Sequence, residues 1–202
     1  MAYKNIAVFA SGNGSNFAAI AREIGRGKIK ARLALLVCDN PAAFVIQRAK
    51  KAKVEVALVL RGECASKNDF EKKVIERVEE KKIDFIVLAG FMRLLSPDFV
   101  RQFRGRILNI HPSLLPAFKG TEGIKDAFSY GVKVTGVTVH FVDEELDHGP
   151  IILQAAVSVK DNDTLESLEA RVHKTEHVLY PKAINLCVLG KLILEGRKVR
   201  LL

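Results

Sequence analysis

Short apolar runs alternate with longer amphipathic stretches through the first half of this sequence, and that alternation limits the folds open to it. Four runs of β-branched and aliphatic residues have the length of buried strands: Ile6–Ala10, Leu33–Cys38, Val56–Leu60 and Phe85–Ala89. Helical periodicity lies between them, near residues 15–26, 41–52 and 68–82. Strands joined by helical crossovers pair in parallel. We therefore predict an α/β fold with a mostly parallel, Rossmann-like sheet that helices cover on both faces.

The second half predicts a different arrangement. Val134–Val142 and Ile151–Val159 are strand-like runs, and the segment between them is too short for a helical crossover. We expect these two strands to pair antiparallel. Residues Asp163–Glu166 then offer a cap and first turn for a long final helix, which we expect to end near Leu189, before Gly190.

The composition is that of a globular chain with a full-sized core. With 202 residues and 49% hydrophobic content, and with no linker-like stretch, we expect a single domain over residues 1–202. The formal charge of +9 would suit an anionic partner such as a phosphate ester, a polyglutamate or nucleic acid. Lysine pairs such as Lys72-Lys73 are interleaved with Glu, however, so ordinary solvated helix faces explain much of this charge.

The cysteines and the apolar runs bear on where the chain functions. Cys38, Cys64 and Cys187 are odd in number and have no CxxC spacing, which argues against a disulfide framework and against a zinc site. The N-terminus has no signal-peptide layout, and no apolar run approaches the length that spans a bilayer. We expect a cytoplasmic protein that makes no membrane contact.

A glycine-rich turn, Ser11–Asn16, joins the first predicted strand to the first predicted helix. Free backbone N–H groups at a helix start favour a phosphate. The turn lacks the third glycine of the GxGxxG pattern and the lysine of a Walker A loop, so we do not expect a nucleotide cofactor. The alternative is a tight turn that needs glycine only for its backbone angles.

Three polar residues follow strand ends in the second half. Asn109 lies near the end of the strand-like run Ile107–Ile110, and His111 follows it directly. The rigid segment Pro112–Pro116 then fixes where the two side chains point. An amide and a protonated imidazole can together stabilise the oxyanion that forms when a nucleophile adds to a carbonyl. Asp147 lies in the later turn, where a carboxylate would favour the charged imidazole and accept a proton through water. Each residue also has an ordinary explanation as a turn or cap residue.

Two other kinds of site fit less well. Ser113 stands between leucines and lacks the glycine flanks of a nucleophile elbow, which disfavours an acyl-enzyme. His173 and His177 are one helical turn apart, but Glu176 stands at the wrong position for HExxH. We therefore expect no metal.

With these residues in hand, the chain resembles the phosphoribosylglycinamide formyltransferases, folate-dependent enzymes of purine biosynthesis. The matching segments are Ser11–Asn16, Ala89–Arg93, Asn109–Pro116, Leu146–Pro150 and Glu176-His177, so the resemblance covers nearly the whole chain. It implies transfer of the formyl group of 10-formyltetrahydrofolate to the amine of glycinamide ribonucleotide, by direct attack through a tetrahedral oxyanion. It also implies a phosphate-binding Rossmann-like half (1–105), a catalytic and folate-binding half (106–202), and a monomer or homodimer.

The resemblance implies three groups of site residues. The catalytic group is Asn109, His111 and Asp147, with Thr138 and His140 in support. The ribonucleotide group is Gly14, Ser15 and Asn16 at the phosphate and Glu176 at the amine. The folate group is Lys67, Met92, Arg93, Leu94, Leu95 and Asn109. Two features depart from the family pattern, namely the segment Gly120–Ala127 and His148 beside the catalytic aspartate.

Several rival functions remain open at this point. A formyltetrahydrofolate hydrolase shares the Asn-x-His and Asp features, but we expect it to carry a regulatory domain ahead of this region. A methionyl-tRNA formyltransferase is expected to add a C-terminal RNA-binding domain. A non-catalytic folate-binding protein is a further alternative. A basic nucleic-acid-binding module belongs to another class, and the absence of aromatic stacking platforms argues against it.

Overall fold

A seven-stranded sheet forms the centre of the computed structural model, which describes residues 3–202. Its strands are β1 (Lys4–Phe9), β2 (Ala31–Cys38), β3 (Glu55–Leu58), β4 (Phe85–Leu88), β5 (Ile107–His111), β6 (Val134–Phe141) and β7 (Ile151–Ser158). They lie in the order β3–β2–β1–β4–β5–β6–β7, with the first five parallel and both β6 and β7 antiparallel to their neighbours. The predicted mostly parallel sheet and antiparallel pair are confirmed.

Six α-helices accompany the sheet within the described part of the chain. They are α1 (Ser15–Gly25), α2 (Val45–Lys51), α3 (Lys67–Glu80), α4 (Pro97–Gln102), α5 (Gly123–Tyr130) and α6 (Leu165–Val188). Alternate residues of β1 point to opposite faces, so Val8 enters one buried cluster with Phe17 of α1, and Phe9 enters the other with Phe70 of α3. Both faces of the sheet are therefore covered, as the apolar runs predict.

The long helix α6 is fixed to the middle of the sheet. Thr164 caps its start, and Thr164 and Ser167 exchange hydrogen bonds as a capping box. Tyr180 is fully buried, and its single hydroxyl proton lies between the carbonyl oxygens of Leu88 (2.7 Å), at the end of β4, and Leu108 (3.1 Å), near the start of β5. Burial raises the pKa of the Tyr180 hydroxyl well above its ordinary value, which keeps it a hydrogen-bond donor.

Some elements differ from the sequence-based predictions. The helix expected near residues 41–52 begins only at Val45, because the Asn40 side chain accepts from Ala42 N at 3.0 Å and holds a turn there. The short helices α4 and α5 were not predicted. A final hairpin of β8 (Leu192–Glu195) and β9 (Lys198–Leu201) was not predicted either. Within residues 3–202, none of the helices combines the length and apolar character that crossing a membrane would need.

Candidate active site

The three polar residues at the predicted strand ends lie together beside β5. Asn109 and His111 are two residues apart on β5 and therefore point to the same face, and Asp147 lies in the β6–β7 connection. His111 Nδ1 is 3.4 Å from Asp147 Oδ2, and Asn109 Nδ2 is 3.4 Å from Asp147 Oδ1. Since only 3% of His111 and 9% of Asp147 are exposed, the group is largely shielded from water.

The backbone around Asp147 is built to direct its carboxylate inward. Asp147 has φ = 48°, a left-handed conformation that Asp tolerates better than most residues. Gly149 follows closely, and a Cβ there would lie 1.8 Å from the Phe141 carbonyl oxygen. The carboxylate also accepts a hydrogen bond from Gly120 N at 2.9 Å. Backbone conformation and an additional donor therefore both orient the carboxylate.

The orientation of the His111 ring is set by a backbone carbonyl. Nε2 donates to the Phe118 carbonyl oxygen at 2.7 Å, which leaves Nδ1 facing Asp147. Both ring nitrogens thus face acceptors, an arrangement that suits the doubly protonated imidazolium. Sequence reasoning missed Phe118 and Gly120, because they contribute backbone atoms whose positions no side-chain type reveals. Gly120 opens the segment that departs from the family pattern.

His140 orients the amide of Asn109 from the neighbouring strand. The two residues are directly paired between β5 and β6, and Asn109 Nδ2 lies 3.2 Å from His140 Nε2. His140 Nδ1 donates to the Phe141 carbonyl oxygen at 2.7 Å. Burial lowers the pKa of His140, outweighing the opposite effects of that carbonyl and of Asp147. The neutral ring therefore accepts a hydrogen bond from the Asn109 amide at Nε2.

Thr138 supports the segment between the two prolines and does not contact Asp147. Its hydroxyl donates to the Ser113 carbonyl oxygen at 2.7 Å and accepts from Leu115 N at 3.0 Å. Gln154 of β7 donates to the same hydroxyl at 2.9 Å and to the Leu115 carbonyl oxygen at 3.0 Å. These bonds fix the chain directly after His111. Gln154 was not anticipated, since nothing around it in the sequence marks it out.

The glycine-rich turn closes against α2 at the start of α1. Gly14 has φ = 74°, and a Cβ there would lie 2.4 Å from Val45 Cγ2. Helix α1 begins at Ser15 with no side-chain cap and no acidic residue in its first turn, which leaves its first N–H groups open to an anion.

Glu176 of α6 meets this turn through Asn16. Asn16 Nδ2 donates to Glu176 Oε2 at 2.9 Å, and His173 Nδ1 lies 3.0 Å from the same oxygen. That hydrogen bond raises the pKa of His173. Among the described residues, the buried atoms Asn16 Oδ1 and His177 Nε2 have no hydrogen-bond partner. The turn and Glu176 therefore form one polar site with unused hydrogen-bonding capacity.

The segment after β4 presents apolar side chains to solvent. Met92 is 71% exposed and Leu94 is 67% exposed, whereas Leu95 is buried under them. Met92 N donates to the Ser11 hydroxyl at 3.0 Å, which joins this segment to the glycine-rich turn. Exposed apolar side chains beside the glycine-rich turn suit contact with a flat apolar ligand.

Arg93 points away from these apolar side chains and packs on α3. Its Nε lies 2.5 Å from Asp39 Oδ2, an ion pair without hydrogen-bond alignment, and its guanidinium lies 5.5 Å from the centre of the Phe70 ring. Lys67 is exposed at the first residue of α3, three residues before the buried Phe70.

A comparison with known families matches residues 4–184 to the family described as formyl transferase. The chain belongs to the formyl transferase family. This chain is 47% identical over 182 residues to the phosphoribosylglycinamide formyltransferase of Bacillus subtilis strain 168, and the match covers 90% of this chain and 93% of that protein. The resemblance inferred from the sequence motifs is therefore confirmed.

Solved structures agree with this assignment. The glycinamide ribonucleotide transformylase 1 of Symbiobacterium toebii superposes on the formyltransferase with a TM-score of 0.96 at 44% identity, covering 99% of this chain and 94% of that one. A formyltetrahydrofolate deformylase of Pseudomonas putida KT2440 gives a TM-score of 0.90 at 26% identity, covering all of this chain and 71% of that one. Within residues 3–202 of the formyltransferase, no group of three or more His, Cys, Asp or Glu residues is arranged to hold a metal ion.

Proposed function

We propose that this formyltransferase moves the formyl group of 10-formyltetrahydrofolate to the amine of glycinamide ribonucleotide, a step of purine biosynthesis. The transformylases named above, at 44% and 47% identity, support this substrate pair more strongly than the deformylase does at 26%. The single observation that carries the proposal is the convergence of Asn109 and His111 on the Asp147 carboxylate, each at 3.4 Å.

The reaction needs no covalent intermediate with the protein. The glycinamide nitrogen forms a bond to the formyl carbon, and the formyl oxygen takes up negative charge. Asn109 Nδ2 and the protonated His111 ring are the donors that stabilise this oxygen. Both donors make only long contacts to Asp147, so a substrate oxygen can compete for them. The oxyanion then re-forms the carbonyl as the carbon–nitrogen bond to the folate breaks, and the leaving folate nitrogen takes up the proton that the amine has passed through water to Asp147.

Asp147 is proposed to be the general base for the amine proton. Its carboxylate faces His111 and therefore stabilises the imidazolium while the oxygen is negative. Through a water molecule it accepts the proton that the attacking amine loses. A carboxylate fixed by Gly120 N and by its own turn needs little rearrangement for this role.

The polar site at the start of α1 is proposed to bind glycinamide ribonucleotide. Gly14, Ser15 and Asn16 supply backbone N–H groups for the phosphate at an uncapped helix start. Glu176 is proposed to bind the glycinamide amine, and its place beside Asn16 supports this. The strands β1 and β5 flank β4 in parallel, so this site and the catalytic group lie along the same edge of the sheet.

The segment after β4 is proposed to bind the folate. Met92, Leu94 and Leu95 are proposed to offer apolar contacts to the pterin, and the exposure of Met92 and Leu94 fits such a ring. Arg93 is proposed to hold the segment in place through Asp39 and Phe70. Lys67, exposed at the start of α3, is proposed for the glutamate tail.

The proposed partners are small molecules, and we propose a cytoplasmic monomer or homodimer that does not bind nucleic acid. Much of the positive charge is paired locally, as where Arg77 contacts Glu55 and Glu80. Such pairs support a solvated surface and give no basic stripe for a polyanion. Cys38, Cys64 and Cys187 are buried free thiols, which supports a reducing compartment.

An absorbance assay tests the proposed function. Loss of the formyl-folate is followed with glycinamide ribonucleotide as the acceptor and in a matched reaction without acceptor. The proposal expects turnover only when the acceptor is present. Equal turnover in both reactions would instead identify a hydrolase, and binding of the folate without turnover in either would identify a folate-binding protein.

A further inference from the structure

The C-terminal hairpin reaches the turn that carries Asp147. Strands β8 and β9 lie beyond residue 184, where the family match ends. Leu192 and Val199 pack this hairpin against the main buried cluster. Its tight turn contains Gly196, with φ = 59°, followed by Arg197. The hairpin thus presents one long cationic side chain from a packed base.

Arg197 holds His148 at two points. One terminal nitrogen of its guanidinium donates to the His148 carbonyl oxygen at 2.7 Å, and the other lies against the ring, 2.7 Å from Nε2 and 3.0 Å from Nδ1. His148 Nδ1 lies 2.8 Å from Asp143 Oδ2, so the ring is held between an acceptor and a donor. His148 was singled out in the sequence as unusual between Asp147 and Gly149, and Arg197 is the partner that the structure gives it.

The restrained peptide is next to the catalytic carboxylate. Asp147 is in the left-handed region, a conformation that persists only where the surroundings enforce it. Gly149 fixes the chain on one side of His148 through its close approach to the Phe141 carbonyl oxygen. The hydrogen bond from Arg197 to the His148 carbonyl oxygen, together with the guanidinium's contact with the ring, restrains the remaining freedom of this short turn.

We infer that Arg197 is a positioning residue for formyl transfer, which acts by holding the His148 peptide so that the Asp147 carboxylate faces His111. The hydrogen bonds of its guanidinium go to His148 and to none of the proposed substrate-binding residues. The expected change in kcat rests on the proposed function. The expected change in how Asp147 faces His111 does not.

Kinetics of paired hairpin variants test this role. Arg197→Ala is compared with Arg200→Ala, because Arg200 pairs with Glu195 inside the same hairpin. We expect Arg197→Ala to lower kcat about 10-fold with KM for both substrates nearly unchanged, since small displacements of a catalytic group are costly. Arg197→Lys can still donate one hydrogen bond to His148. Its kcat is therefore expected to lie between that of Arg197→Ala and that of the wild type. Arg200→Ala is expected to retain the wild-type kcat.

A spectroscopic measurement keeps the inference separate from the proposed function. The ¹⁵N signals of the His111 ring, assigned with His111→Gln, report whether Asp147 faces the imidazole. We expect Arg197→Ala to shift them and Arg200→Ala to leave them in place. Unchanged His111 signals, or equal kcat losses in the two alanine variants, would overturn the inference. An inactive wild-type protein would refute the proposed function, while the signals would still decide the role of Arg197.

Discussion

The amide of Asn109 donates to His140 Nε2 at 3.2 Å across the β5–β6 pair, so a neutral histidine decides which way the amide faces. Burial lowers the pKa of His140 and keeps Nε2 free to accept. His140→Ala removes that acceptor and lets the amide turn. We expect kcat to fall about 10-fold, the equivalent of about 1.4 kcal/mol for one lost hydrogen bond.

Thr135→Val is the matched control for that variant. Thr135 is buried on the same strand, and its hydroxyl has no hydrogen-bond partner among residues 3–202. We expect this nearly isosteric change to leave kcat unaltered in the same formyl-transfer assay. If both variants lost activity equally, disturbance of β6 would explain the His140 result and the proposed orientation of Asn109 would be wrong.

Removing the Asn109 amide altogether is expected to be more damaging. Loss of one oxyanion donor raises the barrier by about 2.7–4 kcal/mol, so Asn109→Ala should lower kcat about 10²–10³-fold. Steady-state kinetics with each substrate varied in turn measure this change. A variant that raised only KM for the formyl-folate would contradict a role in stabilising the oxyanion.

Gly14 and Gly12 offer a contrast within one turn. A methyl group on Gly14 would meet Val45 at 2.4 Å in a backbone conformation with φ = 74°, whereas Gly12 has open space and no positive φ. We expect Gly14→Ala to lower Tm and to raise KM for glycinamide ribonucleotide, and Gly12→Ala to change Tm little. Thermal unfolding and kinetics of the pair measure both effects. Equal behaviour of the two variants would show that the close approach of Gly14 to Val45 does not matter.

The hydrogen bond between His173 and Glu176 should make the thermal stability of the protein depend on pH. The hydrogen bond to Glu176 raises the pKa of His173 above its unfolded value, so this contribution is present below the unfolded pKa and is lost as pH rises through the folded one. We expect His173→Gln to lower Tm slightly at about pH 5.5 and not at about pH 9, given an unfolded pKa of about 6.5. The half-exposed ring makes the effect small. A Tm difference independent of pH would contradict the coupling.

The elements that were predictable from the sequence are those whose residues carry local signals. Leu35, Leu36 and Val37 are fully buried in the sheet, and an unbroken apolar run is what such a strand requires. Asn109, His111 and Asp147 were predictable as a group because polar side chains at strand ends meet at one edge of a sheet. Their assembly follows from topology, which the alternation of strands and helices already implies.

The missed parts depend on contacts that a short window of sequence does not contain. Helix α4 has six residues, too few to show a period, and only its start is marked, by the cap at Ser96 and by Pro97 at the first helical position. The carbonyl of Phe118 and the N–H of Gly120 are backbone atoms whose placement is set by the fold around them. The position of β1 between β2 and β4 likewise depends on long-range pairing.

The most direct measurement of the central claim is formyl transfer by Asp147→Asn with both substrate affinities determined alongside. Asparagine keeps the size and tolerates the left-handed backbone, and its oxygen can still accept from Gly120 N, but the charge that faces His111 is lost. We predict that kcat falls by about 10²-fold or more while both substrates still bind. Turnover near the wild-type rate would contradict the account, because the imidazolium and the amine proton would then need no carboxylate.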